Sequence, residues 1–390
     1  MYLRSFSLIF VLSIAHGQDR KITPKLNPGC QTCNSNNTLV YIVAEGSHDA
    51  IHQVWDFTQG HPTVIYAITT LNTSMNIHWI DTVPIRFSFS ERPSYSFAAT
   101  VDKITEYDDL DDNGHISSKS PQHSLSMRHT SWTLKDSIFT EKEVMIQMHG
   151  EYKDGWRTGL MDVKLDLLPF VDYAVDLPHL IHTANSTLID MSLVNFTTSY
   201  MFNASRFAVH FVLASTDSRR DSMNYTMRKS LDDEHTPGVF EIIEIKTPRS
   251  SKSNDGGFIQ FRPVGYTEAE RSVSSSTNAY ISTFNRTSLP RSSTIGTFYH
   301  DADEANLLVE DLFVSFGLPG DGYYKQHNFT AWSFTIGYGA PPVESFSLFV
   351  IIIISIGLGV PVLLALSGIT YVLIRRYKQR NAPTRFRNDE

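Results

Sequence analysis

The sequence predicts a mainly β protein: an antiparallel, sandwich-type body followed by one transmembrane α-helix near the C-terminus. Three observations carry that expectation. Apolar and polar residues alternate with period two in several segments. No long segment of helical period precedes residue 345. Residues 345–374 then run without a single charge.

At the N-terminus, Arg4 is followed by the apolar run Phe6–Ile14 and by Ala15-His16-Gly17, with small residues at −3 and −1 before Gln18. That run is too short to span a bilayer, and the pattern is that of a secretory signal peptide over residues 1–17. The body therefore covers residues 18–344, as a lumenal ectodomain. Within it, Ile85, Phe87 and Phe89 alternate with Arg86, Ser88 and Ser90. Met161, Val163, Leu165 and Leu167 alternate with Asp162, Lys164 and Asp166. Trp332, Phe334, Ile336 and Tyr338 alternate with Ser333, Thr335 and Gly337. Each pattern fits a strand with one buried face. The apolar runs Leu39–Ala44, Val64–Ile68, Phe207–Leu213 and Phe258–Phe261 fit strands bounded by turn residues. Residues 108–130, 247–257 and 271–294 are acidic or Ser-rich and read as loops, and a subdivision of the body near 175 is compatible with the pattern.

At about 1.5 Å per residue, the 30 uncharged residues Ser345–Ile374 exceed a hydrocarbon core of roughly 30 Å. Six basic residues, from Arg375 to Arg387, follow in the tail 375–390, whereas Glu344 precedes the span. This asymmetry places the tail in the cytosol and makes the chain a single-pass type I protein.

Composition narrows the function. A chain of 390 residues, 41% hydrophobic and 19% charged, is neither collagenous nor disordered. The net charge is −8, and the +4 tail and Arg4 leave −13 on residues 18–374, against nucleic-acid binding. Eight N-x-[ST] sequons fall at Asn36, Asn72, Asn185, Asn195, Asn203, Asn224, Asn285 and Asn328, all within the body. Their number and placement predict a heavily glycosylated surface, and the run from Asn185 to Asn224 suggests one sugar-shielded face. Fourteen histidines between 18 and 374 bring the formal charge near zero if all protonate, which suits an acidic lumen.

Other motifs fall short of chemistry. Cys30 and Cys33 with His48 and His52 have loose zinc-finger spacing, but the intervening run reads as a strand. A local disulfide or free thiols are the alternatives to zinc. Asp109-Leu-Asp111-Asp-Asn113-Gly114 opens like a Ca²⁺ loop, yet position twelve is Ser120, so an acidic turn is expected. GxSxG, HExxH and GxxxxGK[ST] are absent from the sequence, and no catalytic residue, cofactor site or metal site is assigned.

Several passages together carry a resemblance. They are HQVW at 52–55, NIHW at 76–79, LPHLIHTA at 177–184, LDDEHTPGVFEI at 231–242, GFIQFRPVGY at 257–266, and the segment from Gly322 through Trp332 to GAPPV at 339–343. In this order and with this topology the chain resembles the glycosylated lysosomal membrane protein family. The resemblance implies a non-enzymatic lysosomal glycoprotein that acts as accessory subunit of a lysosomal major-facilitator transporter and shields it from lumenal proteolysis. A homo-oligomer is compatible with it. Two features depart from the family pattern. There is no cysteine after Cys33, and Tyr377-Lys-Gln-Arg380 lacks the bulky apolar residue of a tyrosine-based sorting signal. The alternative is a membrane-tethered lumenal hydrolase, which a deep pocket with converging polar groups would favour. A membrane-proximal contact surface is expected around Trp332–Val343, the competing reading being a last strand and a Pro-Pro linker.

Overall fold

A computed structural model describes residues 19–216, 221–230, 239–248, 255–302, 306–322, 324–344 and 348–380. The signal-peptide segment, most of the tail and all of LDDEHTPG at 231–238 lie outside the described residues. The chain separates into two compact units, residues 1–343 and 344–390.

Strands build the first unit. In order they are β1 (Lys21–Leu26), β2 (Leu39–Glu45), β3 (Ala50–Asp56), β4 (Thr63–Thr69), β5 (Met75–Ile80), β6 (Val83–Phe89), β7 (Tyr95–Asp108) and β8 (Gln122–Ser126). Then come β9 (Thr130–Phe139), β10 (Val144–Asp154), β11 (Arg157–Leu167), β12 (Asp172–Tyr173), β13 (Ile181–His182), β14 (Ser186–Val194) and β15 (Ser205–Thr216). They are followed by β16 (Asn224–Lys229), β17 (Glu241–Lys246), β18 (Gly257–Phe261), β19 (Val264–Tyr266), β20 (Ser276–Ile281) and β21 (Asn285–Arg286). A one-turn helix, α1 (Thr294–Phe298), precedes β22 (Leu307–Phe316) and β23 (Phe329–Tyr338).

All pairings are antiparallel, and they make two layers. The first sheet runs β1-β2-β3-β4-β7-β15-β22, with β8 on β7 and with β20 and β21 on the far edge of β22. The second runs β9-β10-β11-β14-β23 and continues through β18, β17 and β16. Because β20 also pairs with β19, the two sheets are continuous at one corner. β11 alternates as its sequence does, with Met161, Val163, Leu165 and Leu167 facing the core. Cross-layer contacts close the sandwich. The Tyr66 hydroxyl on β4 bonds Thr187 Oγ1 at 2.9 Å and donates to the Ile336 carbonyl at 2.8 Å. Phe97 lies flat against Gly257, where any Cβ would collide with its ring.

Several expectations change. No boundary falls near 175: β14 pairs with β11, and β15 pairs with β7, so later residues complete sheets begun by earlier ones. The polar stretches read as loops contain β8, β20 and β21. β23 is buried along both faces, not one: Arg271 reaches over its outer side to Ser333 Oγ, and β19 extends its edge through the pairing of Tyr266 with Ala331. Trp332 is 2% exposed and packs among Phe211, Phe261, Phe316 and Phe334, so the expected contact surface is instead a central core strand up to Tyr338. The Pro-Pro segment after it is also anchored, since Pro342 O accepts from Arg228 Nη2 at 3.1 Å and Gln260 Nε2 at 3.0 Å.

Outside the first sheet lies a second apolar layer. The β5–β6 hairpin and α1 cover Tyr41, Val54, Ile65, Val212 and Ala214 with Ile77, Trp79, Phe87, Phe89 and Phe298. In the second unit, α2 (Leu348–Arg380) continues without a break across Pro361. Its length and its apolar run before Arg375 suffice to cross a membrane. The helix does not stop at Ile374 but carries Arg375, Arg376, Lys378 and Arg380 on its last turns.

Candidate functional site

Seven sequon asparagines are exposed: Asn36, Asn72, Asn195, Asn203, Asn224, Asn285 and Asn328. Asn72, Asn195 and Asn328 adopt left-handed backbone (φ of 68°, 51° and 53°), which asparagine tolerates at a turn and which lifts its side chain from the sheet. Asn185 differs. It is half-buried, and its Oδ1 accepts from Arg20 Nε at 2.5 Å while its carbonyl accepts from Tyr338 N at 3.0 Å.

Sequence proximity misleads about the shielded face. Asn185 and Asn195 flank the two ends of β14, a nine-residue strand of about 30 Å. Register carries Asn224 to the Asn185 end, through Lys246, Phe258, Gly337 and Ser186. The Asn195 end gathers Asn328, whose carbonyl accepts from Asn195 N at 2.8 Å. Asn203 joins them through Lys325, which donates to the carbonyls of Phe202 and Asn203. The sequons therefore mark both ends of the sandwich, and the four between 185 and 224 do not form one face.

Cys30 and Cys33 are joined in a disulfide, with Cα atoms 5.8 Å apart, in the loop before β2. His48 is exposed in the turn at the far end of β2. His52 on β3 uses both ring nitrogens, Nδ1 with Tyr41 Oη at 2.7 Å and Nε2 with Thr69 Oγ1 at 3.0 Å. The four residues cannot converge on one zinc ion. The Asp109 turn is likewise occupied from within. Arg206 lies 2.6 Å from Asp109, 2.5 Å from Asp112 and 3.0 Å from Asp321, so a guanidinium holds the centre that a cation would need. Burial opposes that charge, but Asp321, Tyr107 and Asp109 outweigh it and raise the Arg206 pKa. Gly317 has φ of 140° and lies under the guanidinium, where a side chain would overlap it.

Among the carboxylates and imidazoles, the groups that burial perturbs most are scattered. Burial raises Asp56 to about 6, against hydrogen bonds from Thr294 and Thr58 that lower it. Burial likewise raises Asp166 to about 6 and lowers His52 and His182 to about 4. A groove of about 800 Å³ between β6, α1 and β22 is lined by Arg286, Arg291, Thr297, His300 and Leu307 among others. None of those four lines it, although Tyr299, whose hydroxyl burial raises, does; among the described residues its lining holds no carboxylate.

The family profile described as glycosylated lysosomal membrane protein matches residues 38–379. The chain belongs to that family. It is 28% identical to glycosylated lysosomal membrane protein B of Xenopus laevis over 93% of this chain and 92% of that one. With the Mus musculus protein the identity is 27%, over 87% and 85% of the two chains, and with the Homo sapiens protein 25%, over 87% and 84%. This member is thus a mostly β lysosomal-membrane-family protein with one apolar helix long enough to cross a bilayer. Its buried ion pairs escaped the sequence reading because their partners are remote. Glu106 and Arg157, for example, are 51 residues apart yet meet at 2.7 Å.

Proposed function

We propose that this family member is a type I lysosomal membrane glycoprotein without enzymatic activity, serving as accessory subunit of a lysosomal major-facilitator transporter. The observation that carries the reading is the exposure of seven sequon asparagines, of which Asn195, Asn203 and Asn328 gather at one end of the sandwich and Asn224 stands at the other. Sugars at those positions form a coat with no bare end. A coated body of this size beside a transporter's lumenal loops blocks proteases by steric exclusion. Its own backbone is poorly cleavable, because the strands hold their amides in paired sheets and Pro342 is anchored. The orientation follows from Glu344 before the helix and the basic residues after it, which favour a cytosolic tail. Within the bilayer, Gly357, Gly359, Ser367 and Gly368 leave room for close helix packing.

Full-length tagged chain, solubilised in mild detergent, is expected to recover one polytopic transporter in stoichiometric amount. Loss of the chain is expected to shorten that transporter's lifetime, with rescue by inhibitors of lysosomal proteases. Reproducible recovery of no transporter sinks the reading. Protease added to intact vesicles is expected to spare residues 18–344, and their digestion refutes the orientation.

A further inference from the structure

The apolar layer outside the first sheet is open at one place. Leu307 and Val309 of β22 belong to that layer, as do the rings of the β5–β6 hairpin and α1 that cover it. Between β6, α1 and β22 the cover parts into the groove of about 800 Å³. Leu307, Val309, Leu289 and Ile85 give the groove apolar walls. Ile85 is the bulged residue of the hairpin, left unpaired between the pairs His78–Arg86 and Trp79–Pro84, and it is 46% exposed. Bulges re-aim side chains, and this one turns an isoleucine into the opening instead of closing it. Ser288, Arg291 and His300, all exposed, supply polar walls. Apolar surface with a few placed donors is the make-up of a ligand site.

A sequon stands at its mouth. In β21, Asn285 pairs with Asp311 and Arg286 with Glu310. Paired residues share a face, and Asp311 shares its face with Val309 by alternation along β22. Asn285 is therefore on the groove's side, with Val309 diagonally across at about 7–8 Å. Thr287, which completes the sequon, lines the groove, and its amide donates to the Val309 carbonyl at 3.2 Å. None of the other sequon asparagines lines it. We infer that this groove is a carbohydrate site, and that its occupant is the chain's own N-glycan on Asn285.

The chemistry of a sugar matches the walls. Its C–H faces pack on Ile85 and Val309, and its hydroxyls accept from the Arg291 guanidinium and bond Ser288 Oγ. His300 Nδ1 is engaged with Asp301 at 3.1 Å, which leaves Nε2 for a further hydroxyl. Such contacts are weak singly. A sugar tethered beside the groove meets it at millimolar effective concentration, so weak contacts suffice, whereas a free ligand would need affinity of its own. The seated glycan closes the gap in the outer layer. It is also withheld from processing enzymes that reach the other glycans. The inference deepens the shield described above and rests on that reading of a glycosylated lumenal body.

Two measurements on the full chain, made in animal cells and kept folded in detergent, test it. Peptide N-glycosidase is added, and release is followed site by site by mass spectrometry. Release at Asn285 is expected to be about tenfold slower than at Asn72, and equal to it after denaturation. Arg291→Ala combined with His300→Ala, at two exposed positions, is expected to bring the folded-state rates together. Equal rates in the folded wild type overturn the inference, as does slow release that the double variant leaves unchanged. A bare Asn285 beside a glycosylated Asn72 also overturns it but spares the shield, whereas bare asparagines at every sequon sink both. The second measurement is amide hydrogen exchange of residues 291–300. It is expected to quicken in Asn285→Gln and to stay unchanged in Asn72→Gln. Protection that survives Asn285→Gln gives the groove to another occupant, a partner peptide or a second copy, and overturns the assignment.

Discussion

The space between the two sheets and the layer outside the first sheet are both dry, but they are built on different terms. Between the sheets the contacts are aromatic and aliphatic, from Trp55 and Phe97 to Phe211 and Trp332. One ion pair crosses there, Glu106 to Arg157. Outside the first sheet, half-buried rings on the β5–β6 hairpin and α1 do the covering. That outer side also holds buried titratable groups: His52 against Phe89, Asp56 against Thr294, and His210. The inner layer supplies stability that pH leaves alone. The outer layer supplies less stability and a share of the response to protons, the rest lying at Asp166 on β11 and His182 on β13.

The largest effect expected from that contrast lies in the inner layer. Trp332→Ala removes a ring that stacks on Phe334 at 4.4 Å and meets Phe211 and Phe261 edge-on. The expected loss is about 4 kcal/mol, equal at pH 5 and pH 7, by urea unfolding. A loss below about 1 kcal/mol would mean that the inner layer does not carry the fold. Next comes Glu106→Ala. It strands the buried Arg157 guanidinium and removes the acceptor of Ser199 N, at 2.6 Å. About 3 kcal/mol is expected. The outer hairpin should yield less. Phe87 is half-buried and touches Phe298 with ring centroids 5.5 Å apart, so Phe87→Ala is expected to cost about 2 kcal/mol. If it matched Trp332→Ala, the two layers would be one core.

How far these layers were legible in the sequence depends on what each strand faces. β11 has solvent on one side, so its period-two pattern reports its burial faithfully. β23 shows the same pattern, yet Ser333, Thr335 and Gly337 are as buried as Trp332. Alternation gives the period of a strand, not what covers its second face. Here Arg271 reaches over that face to Ser333 and Asp190, from 62 and 81 residues away. β8 and β20 stayed hidden because both sit in polar stretches, β8 as Gln-His-Ser-Leu-Ser and β20 opening on Ser-Thr-Asn. Their strand state comes from pairing with β7 and β22, not from propensity. The sequons were legible one by one, but their grouping was not, since β14 carries Asn185 and Asn195 to opposite ends. Of the histidines counted toward acid tolerance, His52 and His182 are buried and pushed down to about 4, so they stay neutral where the formal sum charged them, and burial pushes His61 downward as well.

The smallest expected effect isolates the outer layer's proton response. Asp56 is raised from 3.8 to about 6, so between those values the folded chain holds a proton that the unfolded chain has lost. Its contribution to stability is full below about 4 and disappears as the pH rises through about 6. His52, lowered from 6.5 to about 4, acts with the opposite sign over nearly the same window. The unfolded chain binds the proton there, so this term grows as the pH rises. The two groups oppose each other, and the wild-type profile between pH 5 and pH 6 is correspondingly flattened. Asp56→Asn removes one side of that balance while keeping the site satisfied. The amide oxygen can accept from Thr58 N, and the Thr294 hydroxyl can turn to accept from the amide nitrogen. Relative to wild type, the variant should gain about 1 kcal/mol of stability between pH 5 and pH 6. Trp332→Ala should show no such gain. Parallel profiles for Asp56→Asn and wild type would place the proton response of the outer layer elsewhere, with His52 the next group to test.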